Sequence, residues 1–600
     1  MRSRLSSKEI REEKSFSKRV FGIYFFAISI FLLLSYRLYT IQVIQHNNFI
    51  EVAEASRKTE QVISPKRGEI YFQDKENNLI AVATNRLCYL LYAVPKEIEN
   101  HQETSHFLYE TFKKYLIDYP SLEEILKKLS KADDPYEPLL KEVTDEEMVN
   151  SIKEANIKGI YFQEQDCRYY PYDNLAAQVI GFVAEGEDGK IKGRYGLEAY
   201  YDSLLSGEKG VLSGFKDAFG RLIHFFSFKD KELKNGVSLV ITIDKNIQLA
   251  AEKALEKLIK GRDAERGNII VMEVKTGKIL AMANYPNFNL NEYKKIKDYS
   301  LFLNPVVQER YEPGSVIKTI TMTAGLDASK VTPETTYVDK GYYEIGGYKI
   351  VNYNNEVYGK VNMYKVLERS INTGAIFVAN QLGVDLLRSY FKKFGFTEPT
   401  GIDLPNEIVG DLSNLEYPKY NPTYLATASY GVGISLTPIR LIQSYAVLAN
   451  EGKSVTPYLL ERVIDEVGNS LPSNPLPESQ EQIIKPETAQ TIMKMLVSVI
   501  ENGFGANAKV KGYSLAGKTG TSFIADKRGG YTDEEIHTFV GIFPATNPRF
   551  VILVKMEKPK YGKGAASYTV TLAFREVEEF LINYYNIPPD EIEVSRQNLK

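Results

Sequence analysis

Six hundred residues are too many for a single hydrophobic core, so the chain must divide into two or more domains with attachments. Apolar residues at 44% and charged residues at 25% are ordinary for a folded protein, and a formal net charge of -3 lacks the basic excess of a nucleic-acid binder. Five histidines (His46, His101, His106, His224, His537) are scattered without metal-ligand spacing, so neither a metal site nor a cofactor is expected. The two cysteines, Cys88 and Cys167, can pair in an oxidising compartment or stand as buried free thiols. No disulfide framework is expected from them.

In chain order, the first signal is a membrane anchor. Val20 to Tyr36 carries no charge, and apolar character resumes past Arg37 up to Ile44, about the length of a spanning helix. Seven basic residues precede it (Arg2, Arg4, Lys8, Arg11, Lys14, Lys18, Arg19). The positive-inside bias therefore puts the tail, 1–19, in the cytoplasm, 20–44 in the inner membrane, and the rest outside in a single-pass topology. A cleaved signal peptide would have a shorter apolar core and a small-residue cleavage site, whereas RLYTIQVIQ follows here.

Residues 45–235 read as an α+β spacer or docking module with no enzyme constellation. Ser121-Leu122-Glu123-Glu124 is a capping box opening a helix with Leu122, Ile125, Leu126 and Leu129 on one face. A new pattern starts at 236. Val237 to Ile243 predicts a strand, Asp244 caps the next helix, and a hairpin turning at Lys275-Thr276-Gly277 follows. Helices dominate 315–450, strands return around 512–557, and a helix over Ala573–Tyr585 ends before Pro588-Pro589, leaving a tail at 588–600. Strands at both ends of 236–587 with helices between them imply an α+β layer fold whose sheet joins distant sequence.

Three short motifs carry chemistry. In Ser315-Val316-Ile317-Lys318, Pro313-Gly314 gives a sharp entry to a helix that is apolar nearly all round. Burial would depress the pKa of Lys318 toward that of a usable base, one turn from the Ser315 hydroxyl it would activate. Read alone, the pattern fits a snorkelling surface lysine better. Such a spacing arises by chance about twice in a chain of this length, and Ser15 with Lys18 is one such accident. Ser370-Ile371-Asn372 offers a hydroxyl and an amide, or an ordinary helix cap. Lys518-Thr519-Gly520-Thr521 offers a cation and hydroxyls on a strand edge, suited to a carboxylate, with Gly520 allowing close backbone approach. Lys275-Thr276-Gly277 repeats the triplet but precedes the serine. In order, the second and third motifs fall 55 and 203 residues after Ser315, the arrangement of penicillin-binding proteins and class A β-lactamases.

From residue 51 to about 585 the chain resembles the class B penicillin-binding proteins. The resemblance adds Arg67-Gly68-Glu69-Ile70 with Asp74 and Asn85-Arg86, Arg168-Tyr169-Tyr170-Pro171, Gly196-Leu197-Glu198, Thr242-Ile243-Asp244, Tyr311 to Ser315, and Gly431 to Pro438. It departs from the family at Tyr71-Phe72-Gln73, which are extra, and at Val432, where glutamine is usual. It implies a transmembrane helix, an elongated dimerisation-type pedestal over 45–235, and a transpeptidase domain over 236–587 with an antiparallel sheet flanked by helices. It also implies site roles. Ser315 is the nucleophile, Lys318 the general base, Ser370 a proton relay, and Asn372 an orienting amide. Lys518 with Thr519 holds the substrate carboxylate, and backbone N–H groups of Ser315 and Thr521 form an oxyanion hole.

The implied partners are peptidoglycan stem peptides on a lipid-linked precursor, β-lactams, a polytopic glycosyltransferase and division-complex proteins. Gly529-Gly530-Tyr531 and the Asn583 to Pro588 ending resemble the septal subgroup, with the elongation subgroup close by. A β-lactamase would need an E-x-x-x-N loop between Asn372 and Lys518, which is missing from the sequence. A D,D-carboxypeptidase differs mainly in the acceptor, and a non-catalytic sensor or scaffold would have no need of Lys318 or Lys518.

Overall fold

The computed structural model describes residues 7–49, 58–116, 118–131, 135–186, 189–216, 222–417, 419–471, 480–526, 528–564 and 566–590. Arg2 and Arg4 of the basic cluster and most of the 588–600 tail lie outside these described residues. The chain forms two compact units, one of residues 1–65 with 208–234, the other of 66–207 with 235–600.

In the first unit, helix α1 (Ser7–Tyr39) runs into a π-helical turn over Thr40–Ile44. The stretch Phe16–Ile44 has a mean hydropathy of 1.8 and is not buried by any of the described residues, and it is long and apolar enough to cross a bilayer. The expected tail is helical from Ser7 onward, continuous with the anchor. The same unit holds an antiparallel sheet in which Gly210–Lys216 lies between Lys58–Ile63 and Leu222–Lys231.

The second unit begins with β1 (Ile70–Gln73) antiparallel to the 15-residue β2 (Leu79–Ala93), whose far half pairs with β3 (Glu137–Val143) and β4 (Ile160–Tyr169). The sheet also takes in β5 (Ser238–Asp244), parallel to β1 and antiparallel to Leu460–Ile464. Helices α2 (His101–Tyr115), α3 (Leu122–Leu129) and α4 (Glu146–Glu154) bury Leu108, Phe112, Ile125, Leu129, Met148 and Ile152 against Leu91 and Ala93 of β2. The Ser121–Glu124 capping box is formed as the spacing predicts. One expectation is corrected here. Cys88 on β2 and Cys167 on β4 are joined in a disulfide with Cα atoms 5.9 Å apart. The register places Arg86 opposite Cys167 and Cys88 opposite Gln165, so the two cysteines are diagonal neighbours on adjacent strands. Sequence spacing could not reveal that register.

Asp244 accepts from the backbone N–H groups of Asn246 and Ile247 and so starts helix α5 (Lys245–Arg262), followed by the hairpin β6 (Arg266–Glu273) and β7 (Ile279–Tyr285). A helical stretch follows, with α6 (Ile317–Asp327), α7 (Asn372–Leu382), α8 (Pro438–Ala449) and α9 (Pro486–Asn502). The chain then returns through β8 (Ala516–Ala525), β9 (Tyr531–Phe543) and β10 (Phe550–Glu557) to helix α10 (Val570–Tyr585). The five strands form one antiparallel sheet, ordered β7-β6-β10-β9-β8.

Strand alternation divides the core between two layers. Ile269, Val271, Phe539, Ile552 and Val554 pack with α5 and α10. Ile270, Met272, Val540, Ile542 and Leu553 face α6, α8 and α9. Because β8 is the sheet's edge, one side of it is free to line a cleft.

Candidate active site

Ser315 lies in a 3-10 turn, Gly314–Val316, that leads directly into α6. This turn is held from three directions. The Gly314 N–H donates to the Gly431 carbonyl at 3.1 Å, Tyr445 donates its hydroxyl to the Val316 carbonyl at 2.8 Å, and the Ser522 hydroxyl on β8 donates to the Glu312 carbonyl at 2.6 Å. Tyr311 and Leu436 exchange a pair of backbone hydrogen bonds, both 2.9 Å, which ties the entry strand to the Gly431–Pro438 loop. None of these backbone bonds uses Val432.

Glycine is required where these segments meet. A Cβ on Gly520 would lie 2.8 Å from the Pro313 carbonyl oxygen, and one on Gly314 would lie 2.6 Å from the Thr521 oxygen. The bare backbone at Gly520 thus admits the 313–315 segment itself, so the third motif and the first touch directly.

Lys318 is 1% exposed and Lys518 is fully buried. Both side-chain nitrogens converge on one hydroxyl. Lys318 Nζ is 3.1 Å and Lys518 Nζ 3.0 Å from Ser370 Oγ. Lys318 also donates to the Ser370 carbonyl, at 2.5 Å, and Lys518 to the Thr519 carbonyl, at 3.0 Å. Burial pushes Lys518 down to about 7. Lys318 is driven well below the ordinary lysine value, first by burial and then by the charge on Lys518. Both causes favour the neutral amine of Lys318, the form a general base needs.

Ser370 has φ of 52°, a left-handed conformation costly for a non-glycine residue, in the turn just before α7. That conformation brings both its hydroxyl and its carbonyl to Lys318. Among the described residues the Ser315 hydroxyl takes no hydrogen bond, one turn from Lys318. Asn372, at the start of α7, donates its amide to the Val351 carbonyl at 2.8 Å, and among the described residues no hydrogen bond joins it to either lysine. Thr519 is buried and Thr521 half-buried on β8. The residues that sequence reasoning missed are the supporting ones, Tyr445, Ser522 and the strained backbone of Ser370. Each is set by long-range contact and leaves no local signature.

Two family models match. The penicillin-binding protein transpeptidase domain covers residues 267–576, and the penicillin-binding protein dimerisation domain covers 62–241. Among curated relatives, stage V sporulation protein D of Bacillus subtilis is 31% identical across 90% of this chain and 82% of that protein. Peptidoglycan D,D-transpeptidase MrdA of Acinetobacter baumannii is 28% identical over 94% of this chain and 88% of its own length. Peptidoglycan D,D-transpeptidase FtsI of Escherichia coli K12 is 28% identical over 75% of this chain and 73% of its own. Penicillin-binding protein 3 of Mycobacterium tuberculosis, solved with aztreonam, shares the fold at a TM-score of 0.67 and 23% identity, over 88% of this chain and 98% of that one. With the transpeptidase model spanning more than half its length and the anchor helix ahead of it, the chain belongs to the class B penicillin-binding proteins, the membrane-anchored peptidoglycan D,D-transpeptidases.

Proposed function

We propose that Ser315 carries the acyl group of a peptidoglycan stem peptide. The observation behind this reading is the convergence of Lys318 and Lys518 on the Ser370 hydroxyl, beside a turn that presents Ser315 with its hydroxyl unengaged. Neutral Lys318 takes the proton of Ser315 as Oγ attacks the carbonyl of the penultimate D-alanine. Backbone N–H groups of Ser315 and Thr521 receive the oxyanion. The proton passes through Ser370 to the leaving nitrogen, the C–N bond breaks, and terminal D-alanine departs, its carboxylate having been held by Thr519, Thr521 and Lys518. Asn372 orients the donor from the opposite wall. An amine of a neighbouring stem then attacks the ester, regenerating Ser315 and forming the cross-link. β-Lactams acylate the same serine and stay.

The N-terminal basic cluster orients the tail to the cytoplasm and the catalytic unit to the outside. Glycan strands come from a separate polytopic glycosyltransferase. A septal role is the leading assignment, on the Gly529-Gly530-Tyr531 and C-terminal resemblances. An elongation role is the second reading. Fluorescent penicillin is the direct test of the nucleophile. Wild type should label covalently and Ser315→Ala should not, and equal labelling of both would remove Ser315 from this role. Depletion in the host should give filaments for a septal enzyme and spheres for an elongation enzyme.

A further inference from the structure

His537 is fully buried on β9, where the mechanism above makes no use of it. The β8–β9 register sets it directly opposite Thr521. Residues opposed in this way project to one face of the sheet, with Cβ atoms about 5 Å apart. The imidazole is engaged at both nitrogens. Nε2 donates to the Glu535 carboxylate at 2.8 Å, and Nδ1 meets the Thr569 hydroxyl at 2.9 Å.

Glu535 also accepts the Gly564 N–H at 2.6 Å. From the helical side, the Tyr353 hydroxyl donates to the Gly564 carbonyl at 2.7 Å. Tyr353 stands two residues beyond Val351, whose carbonyl holds the Asn372 amide. The loop between β10 and α10 is further fixed near its end, where Arg262 donates to the Tyr568 carbonyl and Asn507 to the Ser567 carbonyl, both at 2.7 Å. Glu535 stays below the usual carboxylate range although burial pushes it upward, because His537 and the Gly564 N–H hold its charge.

Among the described residues the edge strand β8 pairs with one strand, so the placement of Thr521 depends on what backs it from β9. We propose that His537 is a positioning residue for the donor's terminal carboxylate: clamped between Glu535 and Thr569, it backs Thr521 and fixes the 558–569 loop beside the substrate strand. This rests on the reading of Thr519 and Thr521 as carboxylate ligands.

The test uses the full-length chain in detergent and two probes, a fluorescent penicillin and its methyl ester, which lacks the carboxylate charge. Acylation is followed across probe concentration to separate half-saturation from maximal rate. His537→Ala should raise half-saturation for the penicillin about tenfold at an unchanged maximal rate, the loss of one good hydrogen-bonded contact. It should leave the ester unaffected, and His537→Gln should recover part of the loss. Thr569→Val, which keeps the ring, should shift half-saturation the same way by about threefold, and it decides the matter if His537→Ala fails to fold. Equal effects on penicillin and ester, or a fall in maximal rate alone, would overturn the proposal. Thr521→Val separates the two levels. If it weakens penicillin but not ester while both His537→Ala and Thr569→Val bind penicillin as wild type does, only the role of His537 falls. If it changes neither probe, the carboxylate reading falls, and this proposal with it.

Discussion

Two clusters of buried charge in the same compact unit are built on opposite principles. Near the start of that unit, the fully buried Glu198 carboxylate receives Arg67 Nε at 2.7 Å and Arg168 Nε at 2.6 Å, while Arg67 also reaches Asp202 at 2.8 Å. Every charge there faces an opposite one. At the active site, Lys318 and Lys518 are as deeply buried, yet they share only a serine hydroxyl and two backbone carbonyls. Compensated charge holds a shape, whereas uncompensated charge is relieved by losing a proton, and a lysine that has lost its proton is a base. The difference is what separates a structural ion cluster from a reactive one.

The largest expected effect tests the reactive side. Lys318→Met removes the base and should slow acylation by fluorescent penicillin by about 10³-fold, within the range of general-base contributions. It should leave thermal stability equal to wild type or higher, since a costly buried amine has been replaced by an apolar chain of similar length. A large fall in melting temperature would mean that Lys318 is held there for stability. On the structural side, Glu198→Ala strands two arginines and should cost about 3–5 kcal/mol of unfolding free energy, measured by denaturant titration. The fraction still folded should acylate at the wild-type rate. Loss of acylation without loss of stability would erase the contrast.

A third expectation sharpens the contrast through pH. In the proposed mechanism Lys318 is neutral and Lys518 protonated at the first chemical step. Burial pushes Lys518 down to about 7, so second-order acylation should decline as pH rises through that value, while Lys318, itself driven well below the ordinary lysine value, sets the acid limb. Lys518→Arg cannot deprotonate in this range and should abolish the alkaline limb, even if its rate at pH 7 is reduced. Persistence of that limb in the arginine variant would assign it to another group.

Much of this was legible in the sequence, for a physical reason. The anchor, the capping box at Ser121, the cap at Asp244 and the β6–β7 hairpin are local, each written within a few residues. The three motifs were legible as types, because a serine with a lysine one turn on, inside an apolar helix, constrains chemistry wherever it folds. Register and long-range packing were not legible. The Cys88–Cys167 pairing follows from how β2 slides against β4. The contact of Asn372 with Val351 needs the segment before α7 to fold back, and the close fit of Gly520 against Pro313 needs residues about 200 positions apart to meet. Neither leaves a trace in nearby sequence.

Helix α10 supplies the smallest effect and a control for the whole argument, because it buries a charge-capable group that neither cluster explains. Glu578 is fully buried, and neither carboxylate oxygen has a hydrogen-bond partner among the described residues. Burial pushes its pKa well above the usual range, with Glu579 adding to the shift. The folded protein therefore favours its neutral form, while the unfolded chain ionises it above the ordinary carboxyl value. Stability is then complete below that value and declines as pH rises toward the folded pKa. Glu578→Met should raise unfolding free energy by about 1–3 kcal/mol at pH 7.5, the cost of an unsatisfied buried polar group. The gain should shrink as pH falls toward 4.5, and acylation kinetics should not change. A gain independent of pH would point to packing alone, and a loss would show that the carboxyl is paired in solution. If acylation did change, burying an unpaired titratable group would no longer distinguish Lys318 and Lys518 by their chemistry, since one placed in the sheet's opposite layer would be coupled to it as well.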